Sequence, residues 1–448
     1  MLISILLGVA GLGILISLHE FGHFYAAKKL GVGVEAFSVG WGPVLWSKAY
    51  KGTEYRLSAI PIGGYCKLKG SDSLQTAIEN NLQEVPRESG SFYSAKWWKR
   101  CLILAAGPLM NIFTALILFW FVFVIGYTYQ TYPARIVLFQ AAQTPATEAG
   151  LQTGDRIVNI DGTDIQTFED IRRSIGAAAH QNIEITYIRN STEHTTSIRP
   201  ALDPETGLGR IGIYPYIPPQ ISSQANSDFW RSKGFQAGDT IIQLNGQSIE
   251  HAIQFEQLLS TAQKSQAQSN VILMRNNSEI QLSLSLPSED EALPPLDWQT
   301  LTAHSPEANP LSGIGIAAKE VFSTLASTAH GLVLLFQGVE VSQAVSGPVK
   351  ITHMVGDIAI KGFSRDFSTG ATAVFHFLGL ISVVLAFMNL LPIPLLDGGQ
   401  ILLVLTQTLF PRMLAPRSIM RYQNVGAIIV FALLALAVTS DIFFLFGG

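Results

Sequence analysis

Residues 12–27 read LGILISLHEFGHFYAA, and no other stretch limits the fold as severely. An apolar run of this kind belongs in a bilayer as a helix, where every backbone polar group must be satisfied within the segment. Yet it carries His19, Glu20 and His23. An ionisable side chain at the centre of a membrane helix costs about 2.5 to 3.5 kcal/mol and by default marks function. Three such residues in a run of five positions are hard to explain as accident. Residues four apart share a helix face, so His19 and His23 present two imidazoles to one cation. Glu20, about 100° further around the helix, reaches a water on that cation rather than the cation itself.

The rest of the chain suits a membrane setting. Hydrophobic residues make up 48% of its 448 positions and charged ones 14%, and the mean hydropathy is +0.31. The length calls for more than one domain. A net charge of -4 without a basic tract gives no reason to expect a nucleic-acid partner. Cys66 and Cys101 are too few for a disulfide framework and lack zinc-ligand spacing, so both read as packing residues. Apolar spans fall at about 2–27, 101–127, 371–396 and 425–446, the third containing His376. The opening MLISILLGVAGLG has no basic flank or clear cleavage site, so it is expected to remain as a transmembrane helix. Lys28, Lys29, Lys96, Lys99, Arg100, Arg412, Arg417 and Arg421 flank the spans on the side that the positive-inside rule makes cytoplasmic.

Between the first two spans, VEAFSVG, PVLWSKAY, TEYRLSAI and GYCKLK read as short β segments separated by Gly and Pro turns. They predict a membrane-associated hairpin or sheet. Its edge could hold an extended substrate by strand addition, or the sheet could simply cap the site. After the second span, AGLQTGDRIVNIDGTDI (149–165) recurs as KGFQAGDTIIQLNGQSI (233–249). Each copy combines a Gly-rich turn, an apolar strand and an Asp-Gly or Asn-Gly hairpin signal. Both copies resemble the GLxxGDxIxxxxG core of PDZ domains, which places two of them at 133–213 and 214–288. They could bind peptides or C-termini, or limit access to the membrane site. Residues 287–310 turn polar and Pro-rich as a linker does. Residues 321–339 carry no formal charge and could cross the membrane or lie on it. Four spans put the inner ends of the first and third at one depth, so 321–339 reads as interfacial.

HExxH is the arrangement of zinc metalloproteases, with the His pair on Zn and the Glu as general base. A catalytic zinc usually has three protein ligands and an open position. The best third candidate is Asp397 in MNLLPIPLLDGGQ, at the inner end of the third span. His376 is the rival, nearly six turns earlier. Asn389 could donate to a developing oxyanion or to a substrate backbone, or could satisfy carbonyls freed by the nearby prolines.

HEFGH, FSVGWGP, GTEYRLSAIPIGGYCKLKG, AAGPLMN, the two PDZ-like repeats, VSGPVKI and NLLPIPLLDGG occur in one order through most of the chain. Together they resemble the bacterial site-2 proteases, a family of intramembrane zinc metalloproteases. The resemblance implies a polytopic α-helical membrane protein with four transmembrane helices, a membrane-associated β sheet and two periplasmic PDZ domains. Its divisions are 1–28, 29–99, 100–128, 133–213, 214–288, 289–370 (linker and interfacial helices), 371–397, 398–422 (cytoplasmic loop) and 423–447. It implies Zn2+ on His19, His23 and Asp397, Glu20 as catalytic base, and Asn389, Pro392, Ile60, Gly63, Gly64, Tyr65 and Asn111 in substrate handling. It also implies a bacterial inner-membrane location with the active site toward the cytoplasm. The expected substrates are single-pass proteins, an anti-sigma factor and signal-peptide remnants, with the PDZ tandem gating access. Two rivals remain at this level: a non-proteolytic PDZ-bearing membrane adaptor, and a metal transporter using the same ligands.

Overall fold

The computed structural model describes residues 2–138, 143–203, 208–222, 228–264, 268–287, 293–304, 308–335, 347–364, 366–410 and 415–446. Arg412, Val345, Ser346 and the 336–339 part of the 321–339 segment lie outside the described residues. The chain forms two compact units, Met1–Tyr127 with Ser305–Gly448, and Thr128–His304.

The first unit opens with α1 (Leu2–Leu30), whose last turn carries Lys28 and Lys29, where cations oppose the negative end of the helix dipole. Two long antiparallel strands follow, β1 (Val34–Tyr50) and β2 (Thr53–Leu68). They double back on themselves, so that Val39 faces both Gly64 and Leu57 while Tyr50 faces Thr53. The four β segments read from the sequence thus lie within two bulged strands, and 64–68 forms one edge. Gly40, Gly42 and Gly63 take φ of +89, +83 and +87 at the bends, values that a side chain disfavours. The far part of this sheet exposes Trp41, Leu45, Trp46 and Ile60, the kind of apolar surface that marks a membrane or partner contact. The short α2 (Ser73–Glu79) leads to α3 (Trp97–Ile125), which contains Pro108.

The second unit contains two copies of one arrangement. The first comprises β3 (Thr128–Thr131), β4 (Ile136–Leu138), α4 (Pro145–Glu148), β5 (Arg156–Ile160), β6 (Thr163–Asp164), α5 (Phe168–Gly176), β7 (Ile183–Arg189) and β8 (Thr192–Ile198), then β9 (Ala201–Leu202), β10 (Gly209–Arg210) and β11 (Ile213–Pro215). The second comprises α6 (Asp228–Ser232), β12 (Thr240–Leu244), β13 (Gln247–Ser248), α7 (Ala252–Lys264), β14 (Ser269–Arg275), β15 (Ser278–Leu284) and β16 (Leu301–His304). Their sheets run β6-β5-β7-β8 and β13-β12-β14-β15. Asp161-Gly162 and Asn245-Gly246 all have positive φ, the geometry of the type I′ hairpin their sequence signals. In each copy the Asp of the Gly-Asp pair is buried on an arginine: Asp155 on Arg189 and Asp239 on Arg275, each at 2.7 Å. The same arginines donate to the carbonyls of Gly150 and Gly234 at 2.8 Å, which ties the Gly-rich turn to the sheet.

The chain then returns to the first unit as α8 (Pro310–Leu335), α9 (Pro348–Phe363), α10 (Phe367–Leu390), α11 (Asp397–Leu409) and α12 (Pro416–Phe446). Among the described residues, four helical stretches are long and apolar enough to cross a membrane: Ile3–Leu30, Trp97–Ile125, Phe367–Leu390 and Pro416–Ile442. The α8 helix is not one of them; its Ala317 and Val321 are buried with Phe119 and Val383. The stretch 398–422, read from sequence as a loop, is helical through α11 and again from Pro416. The reason is local: the apolar run Ile401–Val404 follows directly on the helix start at Asp397, and Leu403 and Val404 are buried. The α1 and α9 helices touch backbone to backbone, since a Cβ on Gly8 would collide with the Thr352 carbonyl and one on Gly356 with the Ser4 carbonyl. Asp441, an acid within α12, accepts the N–H groups of Val349 and Lys350 at 2.9 and 3.0 Å. It therefore caps the start of α9 and answers that helix's dipole.

Candidate metal centre

The α1 helix places His19 and His23 one turn apart, with their Nε2 atoms 3.1 Å from each other. Both residues are buried. His23 Nδ1 lies 2.8 Å from the carbonyl oxygen of Ile103 on α3. A carbonyl only accepts, so Nδ1 carries the proton and donates, and the neutral ring turns a lone pair on Nε2 toward its neighbour. His19 Nδ1 lies 3.2 Å from the side-chain amide of Asn111, and Asn111 Oδ1 is buried without a partner. Exchanging the amide's O and N, which have the same shape, gives that oxygen a donor in His19 Nδ1–H and frees His19 Nε2 as well. Holding each ligand histidine by its other nitrogen is how proteins orient metal-binding imidazoles.

Asp397, the first residue of α11, completes the group. Its Oδ2 lies 3.2 Å from His19 Nε2 and its Oδ1 3.5 Å from His23 Nε2. One donor atom from each of the three residues falls within 4.8 Å of the others. Asp397 Oδ2 is buried and receives no hydrogen bond. Two imidazole lone pairs and an unsatisfied carboxylate oxygen facing one another repel unless a cation lies between them. The donor set is of the kind that takes Zn2+ with a fourth position open. The backbone makes room for it: a Cβ on Gly107 would collide with the Nε2 atoms of both His23 and His19. Leu395, two residues before Asp397, has φ of +88. Such values cost a non-glycine residue strain and cluster at functional sites. Gly398 and Gly399 let the turn close on the carbonyls of Leu390 and Ile393, and Tyr422 on α12 donates to the Gly399 carbonyl at 2.9 Å.

Glu20 points to the sheet, where its Oε2 accepts the N–H of Cys66 at 3.0 Å. Cys66 lies on the 64–68 edge, so the edge strand and the acid are in direct contact. Burial, with the Glu20 charge adding to it, pushes the Cys66 thiol up to about 12, so it stays protonated at neutral pH. Ser17 donates to the Gly63 carbonyl at 3.2 Å, and a Cβ on Gly13 would collide with the Pro61 carbonyl, which seats the 61–64 bend on α1. Tyr65 is engaged by Arg56 at 2.8 Å. Ile60 and Pro392 are exposed. Asn389 donates one amide hydrogen to the Leu385 carbonyl at 3.0 Å. His376 lies 3.8 Å from Glu320 of α8 and beside the ring of Phe119; it is not among the three grouped ligand atoms. Sequence reasoning gave no role to Gly107, to the Ile103 carbonyl or to the Cys66 N–H, and it assigned Asn111 to substrate. An amide inside a 29-residue apolar helix was the available signal for a polar partner in the bundle.

The sequence profile of peptidase family M50 matches residues 7–434. A Treponema pallidum protein described as "Putative zinc metalloprotease" is 35% identical over 450 residues, 99% of this chain and 100% of that protein. The Escherichia coli "Regulator of sigma-E protease RseP" is 28% identical over 458 residues, 97% of each chain. The Yersinia pestis "Protease RseP" is 28% identical over 463 residues, again 97% of each.

Proposed function

The chain belongs to peptidase family M50 and is a zinc metalloprotease of the site-2 type, and we propose that it hydrolyses peptide bonds within transmembrane segments of single-pass proteins. In this reading His19, His23 and Asp397 hold the metal and Glu20 is the general base. The observation that carries it is the meeting of three donor atoms within 4.8 Å, from two helices at opposite ends of the sequence. Zn2+ supplies Lewis acidity to the scissile carbonyl and to the attacking water, whose pKa it brings toward about 7. Glu20 takes the water's proton on the carboxylate oxygen that Cys66 leaves unengaged, and returns it to the departing amine. Ile103 and Asn111 keep the two imidazoles in the tautomer that metal binding requires.

A transmembrane helix must unwind before its peptide bonds can be attacked. The 64–68 edge, one hydrogen bond from Glu20, supports substrate capture by strand addition, with Ile60, Gly63, Gly64 and Tyr65 shaping the approach. Asn389, through its second amide hydrogen, and Pro392 border the other side. The repeated strand order supports two PDZ modules at 133–213 and 214–288, to which we assign control of substrate access. Lys28, Lys29, Lys96 and Lys99 support a cytoplasmic active site in an inner membrane, with the modules on the other side. Relatives named for sigma-E regulation are consistent with an anti-sigma factor as one substrate, and the family resemblance adds signal-peptide remnants as others.

The test compares wild-type, Glu20→Gln and Asp397→Ala proteins for zinc content and for cleavage of a tagged single-span protein. Glu20→Gln should keep zinc and lose about 10²- to 10⁴-fold in rate; Asp397→Ala should lose both. Cleavage by Glu20→Gln at the wild-type rate would rule the mechanism out.

A further inference from the structure

A cavity of about 700 Å³ lies in the first unit away from the ligand group, walled by residues from 83–87 and 93–100, the last turn of α11 and the start of α12. Arg87, Lys96 and Arg100 line it, against one acid, Glu84. Among the described residues none of the three cations is in an ion pair. Arg100 is the most committed of them. Its guanidinium lies 4.9 and 5.3 Å from the rings of Phe92 and Tyr93 and donates to Gln407 at 2.9 Å, yet its Nε is buried with no acceptor. A buried donor beside two further unpaired cations calls for an anion with several oxygens, and guanidinium matches phosphate in geometry.

The surroundings identify the anion's source. Trp97, which lines the cavity, and Trp98 are exposed at 49% and 40%. Tryptophan in this position favours the headgroup level of a membrane. Leu102, Leu109 and Phe113 continue along α3 with half or more of their surface exposed. A phosphate in the cavity would therefore have a path for acyl chains leading away from it. We propose that the cavity binds the phosphate of an anionic glycerophospholipid, the kind of ligand for which basic pockets between membrane helices are suited. Its occupant joins Arg100 to Gln407, and Gln407 lies on the helix whose first residue is Asp397. On the function proposed above, a bound lipid braces the third metal ligand. The binding itself does not depend on that reading.

The test is lipid retention, which needs no catalysis. Full-length protein is stripped of lipid, exposed to vesicles of equal phosphatidylglycerol and phosphatidylcholine, repurified, and its bound phospholipid counted. Wild type should retain phosphatidylglycerol preferentially. Arg87→Gln and Lys96→Gln, each removing a cation that makes no side-chain hydrogen bond among the described residues, should each weaken retention about fivefold. Arg100→Gln should abolish it, with thermal melting reporting whether that variant folds. Equal retention of the two lipids by wild type, or unchanged preference in both Arg87→Gln and Lys96→Gln, would overturn the proposal. So would a melting shift with inorganic phosphate alone equal to that with phosphatidylglycerol, which would make the site one for free phosphate.

Discussion

At the scale of single residues, the centre depends on atoms that never touch a ligand. Asn111 is 1% exposed and its amide lies against His19. Replacing it with Ala should lower zinc affinity about 10- to 100-fold, measured by chelator competition, because the ring loses the partner that fixes its tautomer. An affinity within twofold of wild type would remove that role. In the second unit the informative residue is Asp239, fully buried on Arg275 and accepting the Gln236 N–H at 2.8 Å. Asp239→Ala leaves a guanidinium without its partner, and denaturant unfolding should show a loss of about 3 to 5 kcal/mol for that copy. Asp155→Ala should do the same in the first copy, where the geometry repeats. The sequence identified both aspartates through the repeat, but their arginines sit outside the aligned segments, so the pairing could not be read from it.

At the scale of elements, helix starts carry much of the chemistry. His251 precedes α7 and its Nδ1 accepts the Gln254 N–H at 3.1 Å, a capping bond that needs a neutral ring. Burial, with the Arg135 charge acting in the same direction, holds its imidazole below the ordinary histidine value, while Glu250 opposes them. The folded state thus takes up the proton less readily than the unfolded one. The cap's contribution is complete above the unfolded value of about 6.5 and is lost as pH falls below it. Amide protection across α7, with exchange corrected for its intrinsic pH dependence, should fall between about pH 7 and 5 in wild type and show no such step in His251→Asn. The sheet of β1 and β2 was legible as four β segments with Gly turns, and α11 was not legible as a helix. Its start follows a Pro-rich stretch and a positive-φ Leu395, and its stability comes from Leu403 packing in a hydrophobic cluster with Leu74 and Ile419 and from the burial of Val404.

At the scale of the molecule, the centre joins α1 to α11, the opening helix to one near the end. A metal that binds only the folded arrangement stabilises it by about 4 kcal/mol when its concentration is 1,000 times its dissociation constant. Chelation should therefore lower the melting point of the first unit, loosening both segments in hydrogen exchange, and leave the exchange of residues 128–304 unchanged. The sequence by itself determined the four apolar helices, the duplicated module and the His19, Glu20, His23 constellation, because hydropathy, repeat spacing and helical period are local quantities. Its choice of Asp397 over His376 rested on an argument about depth. Only the tertiary structure brought the Asp397 carboxylate to the two imidazoles, set Asn111 and Ile103 behind them, and put the Cys66 N–H on Glu20. Those contacts depend on backbones approaching at Gly107, Gly398 and Gly399, and a close approach between distant segments leaves no period in the sequence to read.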